Sequence, residues 1–169
     1  MGAWGIKAHE SDSCLDILSV VKRNILSPID FMHFDVAVIL DYLKDHITEQ
    51  IKKTNKGCSK KMMEYYVKVN FPQEYNDAVF LVAECLTDYI QNGEYLIYDY
   101  DVNIERKITK FIFTDGVLEE LLDELKKMLD PEHDMYTSWF KEEVRQSWIA
   151  HMKMICDSIA SLKGGIANG

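Results

Sequence analysis

Apolar residues recur every three or four positions in five stretches of this chain, and that spacing is what most limits its fold. Val36, Ile39, Leu40, Leu43, Ile47 and Ile51 fall on one side of a helix, and so do Val117, Leu118, Leu121, Leu122, Leu125 and Leu129. Such a period cannot alternate across a strand, so these stretches are predicted helices that turn one stripe to a shared core. Leu15, Leu18, Val21, Ile25 and Leu26 make a further stripe, predicting a first helix over about 13–26 with Ser11 or Asp12 as its cap. Ser27-Pro28 stops it, because the residue before proline is pushed out of helical geometry. The second helix is expected over about 34–53. A third, over about 75–91, carries Ala78, Leu81, Val82, Cys85, Leu86, Tyr89 and Ile90 and ends at Gly93. The fourth covers about 116–129, with Asp115 placed to cap it and Asp130-Pro131 to break it. The last and longest, over about 134–162, bears Trp139, Phe140, Val144, Trp148, Ile149, Met152, Ile155, Ile159 and Leu162.

Two segments resist the helical reading. Met62 to Val69 suits a strand through Tyr65-Tyr66-Val67 or a short helix from Lys60, and Phe71-Pro72 ends it either way. Tyr95–Tyr98 and Lys107–Phe113 are rich in strand formers around a polar connection, Asp99 to Asn103. They predict a small hairpin near 95–113, the rival being that 104–113 opens the next helix. The expected fold is therefore mainly α: a single compact helical domain of about five helices, with that hairpin at its side. Residues 1–12 form an arm on the core and 163–169 a flexible tail.

At 169 residues and 47% hydrophobic, the chain can bury roughly 70% of its unfolded surface without staples. Its net charge of −9 opposes nucleic acid and anionic lipid, and fits an ordinary soluble acidic domain or one steered to a basic partner. Cys14, Cys58, Cys85 and Cys156 are isolated in sequence, with no Cys-x-x-Cys pair to suggest a zinc ribbon or redox site. No signal peptide or bilayer-length apolar run is evident, so a cytoplasmic setting is expected.

No phosphate loop, dinucleotide fingerprint, nucleophile elbow, His-Glu-x-x-His or EF-hand pattern is present, and no cofactor is expected. His9, Glu10, Asp12 and Asp16 include metal-ligand types, but Glu10 and Asp12 at a helix start are read first as capping groups. His133-Asp134 forms a pair in a loop with no nucleophile beside it. Trp139 and Trp148 lie at helical spacing and are read as core, an exposed partner patch being the alternative. Tyr95, Tyr98 and Tyr100, interleaved with Asp99 and Asp101, are the candidate partner-binding residues, because tyrosine is favoured at interface cores and carboxylates suit a basic partner.

The opening Met1-Gly2-Ala3-Trp4-Gly5, then Glu10 and Asp12 with Asp16 a turn further on, resembles an uncharacterised family of small acidic bacterial proteins that begin Met-Gly-x-Trp-Gly. Ala83-Glu84 is similar to that family's mid-chain signature, and Trp139 through Trp148 to His151 to its closing helix. Where the family carries an aromatic residue and an asparagine, this chain has His9 and Ser11. The resemblance implies bacterial origin and a helical fold without implying a reaction. Such genes are sometimes companions of toxin loci. The expected function is thus a non-enzymatic, immunity-type protein that neutralises a basic toxin domain through its acidic surface. The alternatives are an enzyme assembled from His9, Glu10, Asp12, His133 and His151, and an oligomer-forming module.

Overall fold

The computed structural model describes residues 6–24, 33–99, 104–139 and 141–163. Among them are six helices, two strand pairs and a 3-10 turn, a mainly helical fold with a small β element, as the periodicity requires. The helices are α1 (Asp12–Asn24), α2 (Val36–Thr54), α3 (Lys60–Asn92), α4 (Asp115–Met128), α5 (Asp134–Thr137) and α6 (Glu142–Leu162).

Helix α3 is the axis on which α1, α2, α4 and α6 pack. Its 33 residues span ~50 Å at the usual rise. From Ala78 to Thr87 every residue is buried, so this half has no solvent face and is a core helix. The predicted break at Phe71-Pro72 does not occur, and the helix runs through the proline. Tyr66, Val67 and Phe71 pack against the core, and Phe71 stacks on Tyr75 across the proline at 5.3 Å. Lys68 and Pro72 are both exposed, so the carbonyl that Pro72 cannot serve is left to water. Packing here outweighs a local penalty of about 3 kcal/mol.

The second helix starts at Val36, the first residue of its apolar face, rather than at the expected 34. His33–Asp35 is a strand, β1, and the Asp35 carboxylate accepts from Val38 N at 3.2 Å to cap α2. The hairpin consists of β2 (Tyr95–Asp99) and β3 (Ile104–Ile108), paired antiparallel. It ends at Ile108 rather than Phe113, and the helical alternative for 104–113 is overturned by this pairing. Residues Lys110–Ile112 form β4, which pairs in parallel with β1 instead. Phe34 and Phe111 are register partners, and their rings stack at 4.6 Å. Tyr89 stacks on Phe111 in turn at 4.6 Å, tying both strands to α3.

Two further boundaries differ. Thr114, not Asp115, caps α4 by accepting from Val117 N. The expected helix over 134–162 is interrupted between α5 and α6. There Ser138 Oγ donates to the Met135 carbonyl at 2.8 Å, while Arg145 donates to the Trp139 carbonyl at 3.0 Å. Side chains thus satisfy the turn's own carbonyls, an alternative to continuing the helix. Gly93 ends α3 with φ 74, the left-handed conformation that glycine adopts without strain. At the other end of the chain Ile6 and Ala8 pack on the core, the latter in the 3-10 turn Ala8–Glu10. Gly2, Trp4, Gly5, Ser27-Pro28 and the tail from 164 onward lie outside the described residues.

Candidate functional site

The break between α5 and α6 folds Trp139 back beside Trp148, with ring centroids 6.1 Å apart. Tyr136 meets Trp148 edge-on at 6.3 Å, and the Arg145 guanidinium lies over the Tyr136 ring at 5.6 Å. Trp148 is 0% exposed, as a core reading of the aromatic stripe requires, and Trp139 is half-buried.

These two indoles form part of the wall of a cavity of about 520 Å³ between α1, α3 and the segment from Glu132 to Trp139. Phe80, Cys14, Met135, Val69 and Pro72 complete its apolar part. The indole Nε1 groups of Trp139 and Trp148 are buried and have no hydrogen-bond partner among the described residues. Buried indole N–H groups ordinarily find an acceptor, so these two are unsatisfied donors sealed inside the packing behind the cavity.

The polar lining is acidic. Asp12, Asp77, Glu132 and Asp134 contribute carboxylates, against Lys7 and the His133 imidazole. His133 caps α5, its Nδ1 accepting from Met135 N at 3.1 Å, while Nε2 lies 3.3 Å from the Asn76 carboxamide. Because Nδ1 accepts, the ring proton of the neutral imidazole sits on Nε2. That proton is satisfied when the Asn76 carboxamide is oriented with its oxygen toward the ring, an assignment interchangeable with the nitrogen placed there. Burial, reinforced by neighbouring Glu74, pushes the Asp77 carboxyl up to about 6. Asp77 also lines a second hollow of about 310 Å³, which shares Ser13, Asn70 and Gln73 with the first and adds Asp16 and Glu74.

The chemistry this arrangement supports is recognition. A hollow lined by several carboxylates attracts cations. Burial pushes the Cys14 thiol up to about 12, and its Sγ donates to the Asp77 carbonyl at 3.5 Å, so it is a poor nucleophile. Among the described residues, no three His, Cys, Asp or Glu side chains are grouped to hold a metal ion.

The candidates from sequence are distributed as follows. Asp12 and His133 share the main cavity, and Asp16 lines the second hollow. Glu10 caps the 3-10 turn rather than α1, its Oε2 accepting from Lys7 N at 2.9 Å. His151 is paired elsewhere, with Glu84. Tyr95 packs on the core, and its hydroxyl hydrogen-bonds to the buried Cys85 thiol. Tyr98 and Asp99 close strand β2, while Tyr100 and Asp101 lie outside the described residues. Asn76, Asp77 and Phe80 were not singled out from sequence. Their signal was Asn76-Asp77, a polar pair opening the apolar stretch of α3.

No protein-family model, no curated protein and no solved structure matches the chain.

Proposed function

We propose that the protein is a non-enzymatic, cytoplasmic binding protein of the immunity type, which receives a cationic group of a basic partner, such as a toxin domain, in the cavity between α1 and α3. The observation that carries this reading is the gathering of four carboxylates, Asp12, Asp77, Glu132 and Asp134, around one hollow between α1 and α3. A lysine or arginine side chain supplies the positive charge that these carboxylates attract. The net charge of −9 adds long-range steering toward such a partner.

The test is binding to the product of an adjacent gene. Affinity should fall steeply with salt, and Asp12→Asn combined with Asp134→Asn should weaken it roughly tenfold or more. Asparagine at Asp12 retains a helix-start residue, so folding is preserved. Binding indifferent to both salt and these carboxylates overturns the proposal.

A further inference from the structure

The acidity of the chain is not evenly spread. Between Lys52 and Lys68 there are six lysines against the single carboxylate Glu64, a local charge of +5 that leaves −14 on the rest. This stretch is the end of the α2–α3 hairpin, and all six lysines (52, 53, 56, 60, 61 and 68) are exposed. Lys53 pairs with Glu49 at 3.9 Å and Lys60 with Glu64 at 4.0 Å. Because screening confines exposed charges to a range of about 8 Å, Lys52, Lys56, Lys61 and Lys68 give this end a positive field whatever the net charge of the molecule.

The same end carries unpartnered apolar surface. Met62, Tyr65 and Val69 are 43%, 57% and 53% exposed, at helical spacing along α3, with Val69 also standing at the edge of the main cavity. Met63, Tyr66, Val67 and Asn70 occupy the helix's other, partly buried side. Lys61 and Lys68 stand beside the exposed apolar residues, where long stems can lie along an apolar boundary while the ammonium groups reach outward.

We propose that this helical face docks on an anionic lipid bilayer. The stretch has lysine and no arginine. Paired recognition of carboxylate or phosphate uses the arginine fork, and protein interface cores are depleted in lysine. A cluster of four to eight basic residues on an amphipathic helix fits the diffuse field of anionic headgroups. Nucleic acid uses the same lysines but has no use for Met62 and Val69 at the phosphate backbone, whereas a bilayer takes such side chains into the headgroup–acyl boundary. The whole-chain charge, which argues against lipid, is therefore the wrong quantity for this surface.

Vesicle co-sedimentation tests the proposal on the full chain. With phosphatidylcholine vesicles containing about 30% phosphatidylserine the protein should pellet, and with pure phosphatidylcholine it should not. Lys61→Glu with Lys68→Glu should reduce binding roughly tenfold. Met62→Ser with Val69→Ser should weaken it separately, and circular dichroism verifies that both variants are folded. No binding to the anionic vesicles, or equal binding to both kinds, overturns it. So does full competition by duplex DNA with the Met62→Ser/Val69→Ser protein unaffected, which identifies a general polyanion site.

Discussion

Glu84 Oε1 lies 2.8 Å from His151 Nε2, joining the middle of α3 to α6 through two side chains that are only 6% and 10% exposed. Phe80 meets the His151 ring edge-on at 6.3 Å, so the polar pair is set against an apolar neighbour. A polar contact in such surroundings is costly to half-remove, because the partner left behind has been desolvated.

Replacing Glu84 by Leu should cost roughly 1–3 kcal/mol by stranding the imidazole N–H. His151→Phe should cost a similar amount, roughly 1–3 kcal/mol, since it takes one hydrogen-bond partner from a buried carboxyl group that keeps a further interaction. The double variant should be less destabilised than the sum, with a coupling of roughly 0.5–3 kcal/mol. Urea denaturation of the four proteins measures this, and additive losses would show that the contact carries no coupling.

Asp77 makes stability depend on pH in the opposite sense to a salt-bridged carboxylate. Burial, with Glu74 adding to it, lifts its carboxyl from the ordinary 3.8 to about 6. The folded chain then holds this proton more tightly than the unfolded chain. Stability therefore rises as pH falls from above 6 toward 4. Asp77→Asn should raise the thermal midpoint at pH 7 and leave it nearly unchanged at pH 4. An equal difference at both values would contradict the assignment. A cation bound in the cavity should favour the ionised form and release a proton, which titration calorimetry in two buffers detects.

The network around Glu120 should behave conventionally. Its Oε1 accepts from Lys44 Nζ at 2.6 Å and from the Tyr75 hydroxyl at 2.9 Å. The Lys44 bond holds the Glu120 carboxyl below its usual range, against the opposing effect of burial. That contribution is complete at neutral pH and is lost as pH falls through the lowered value. Both groups are over 30% exposed, so Lys44→Met should cost only about 1 kcal/mol or less at pH 7. The cost should disappear in acid, as chemical denaturation at both pH values would reveal.

The four cysteines are free and should separate by rate of modification. Cys58 is exposed in the turn before α3, whereas Cys14 and Cys85 are buried and Cys156 is half-buried. Burial raises the thiol pKa of the latter three, which keeps them protonated. An aromatic disulfide reagent at pH 8 should therefore label one thiol promptly and the others only on unfolding. Loss of the prompt phase in Cys58→Ser identifies it.

Much of this architecture is legible because the apolar stripes of α2, α4 and α6 point to one core, as do Leu18 and Val21 of α1. Leu15 of that last stripe is 44% exposed, and Ile25 and Leu26 lie outside the described residues. What escaped depends on contacts distant in sequence. Three residues around Phe34 have no strand signal until Phe111 arrives as their partner, which is also why 107–113 read as one strand. Pro72 is a sound helix breaker on local grounds, and only the packing of Phe71 and Tyr75 overrides it. The cavity was partly visible in Asp12 and His133, but Asn76, Asp77 and Phe80 join them only once α1 and α5 are folded beside α3. The indoles were read as core, which describes their burial while missing their unpaired N–H groups.

The proline inside α3 has a dynamic consequence. Pro72 carries no amide hydrogen, so the hydrogen-bond ladder is interrupted where α3 passes from its partly exposed half into its buried half. Amides between Ala78 and Thr87 are sealed on every side and should exchange with deuterium only when the whole molecule opens. Those between Lys61 and Asn70 should be released by a smaller opening that leaves the rest intact. One helix in space is thereby two units in time, and the lysine-bearing half can come and go while the core half holds.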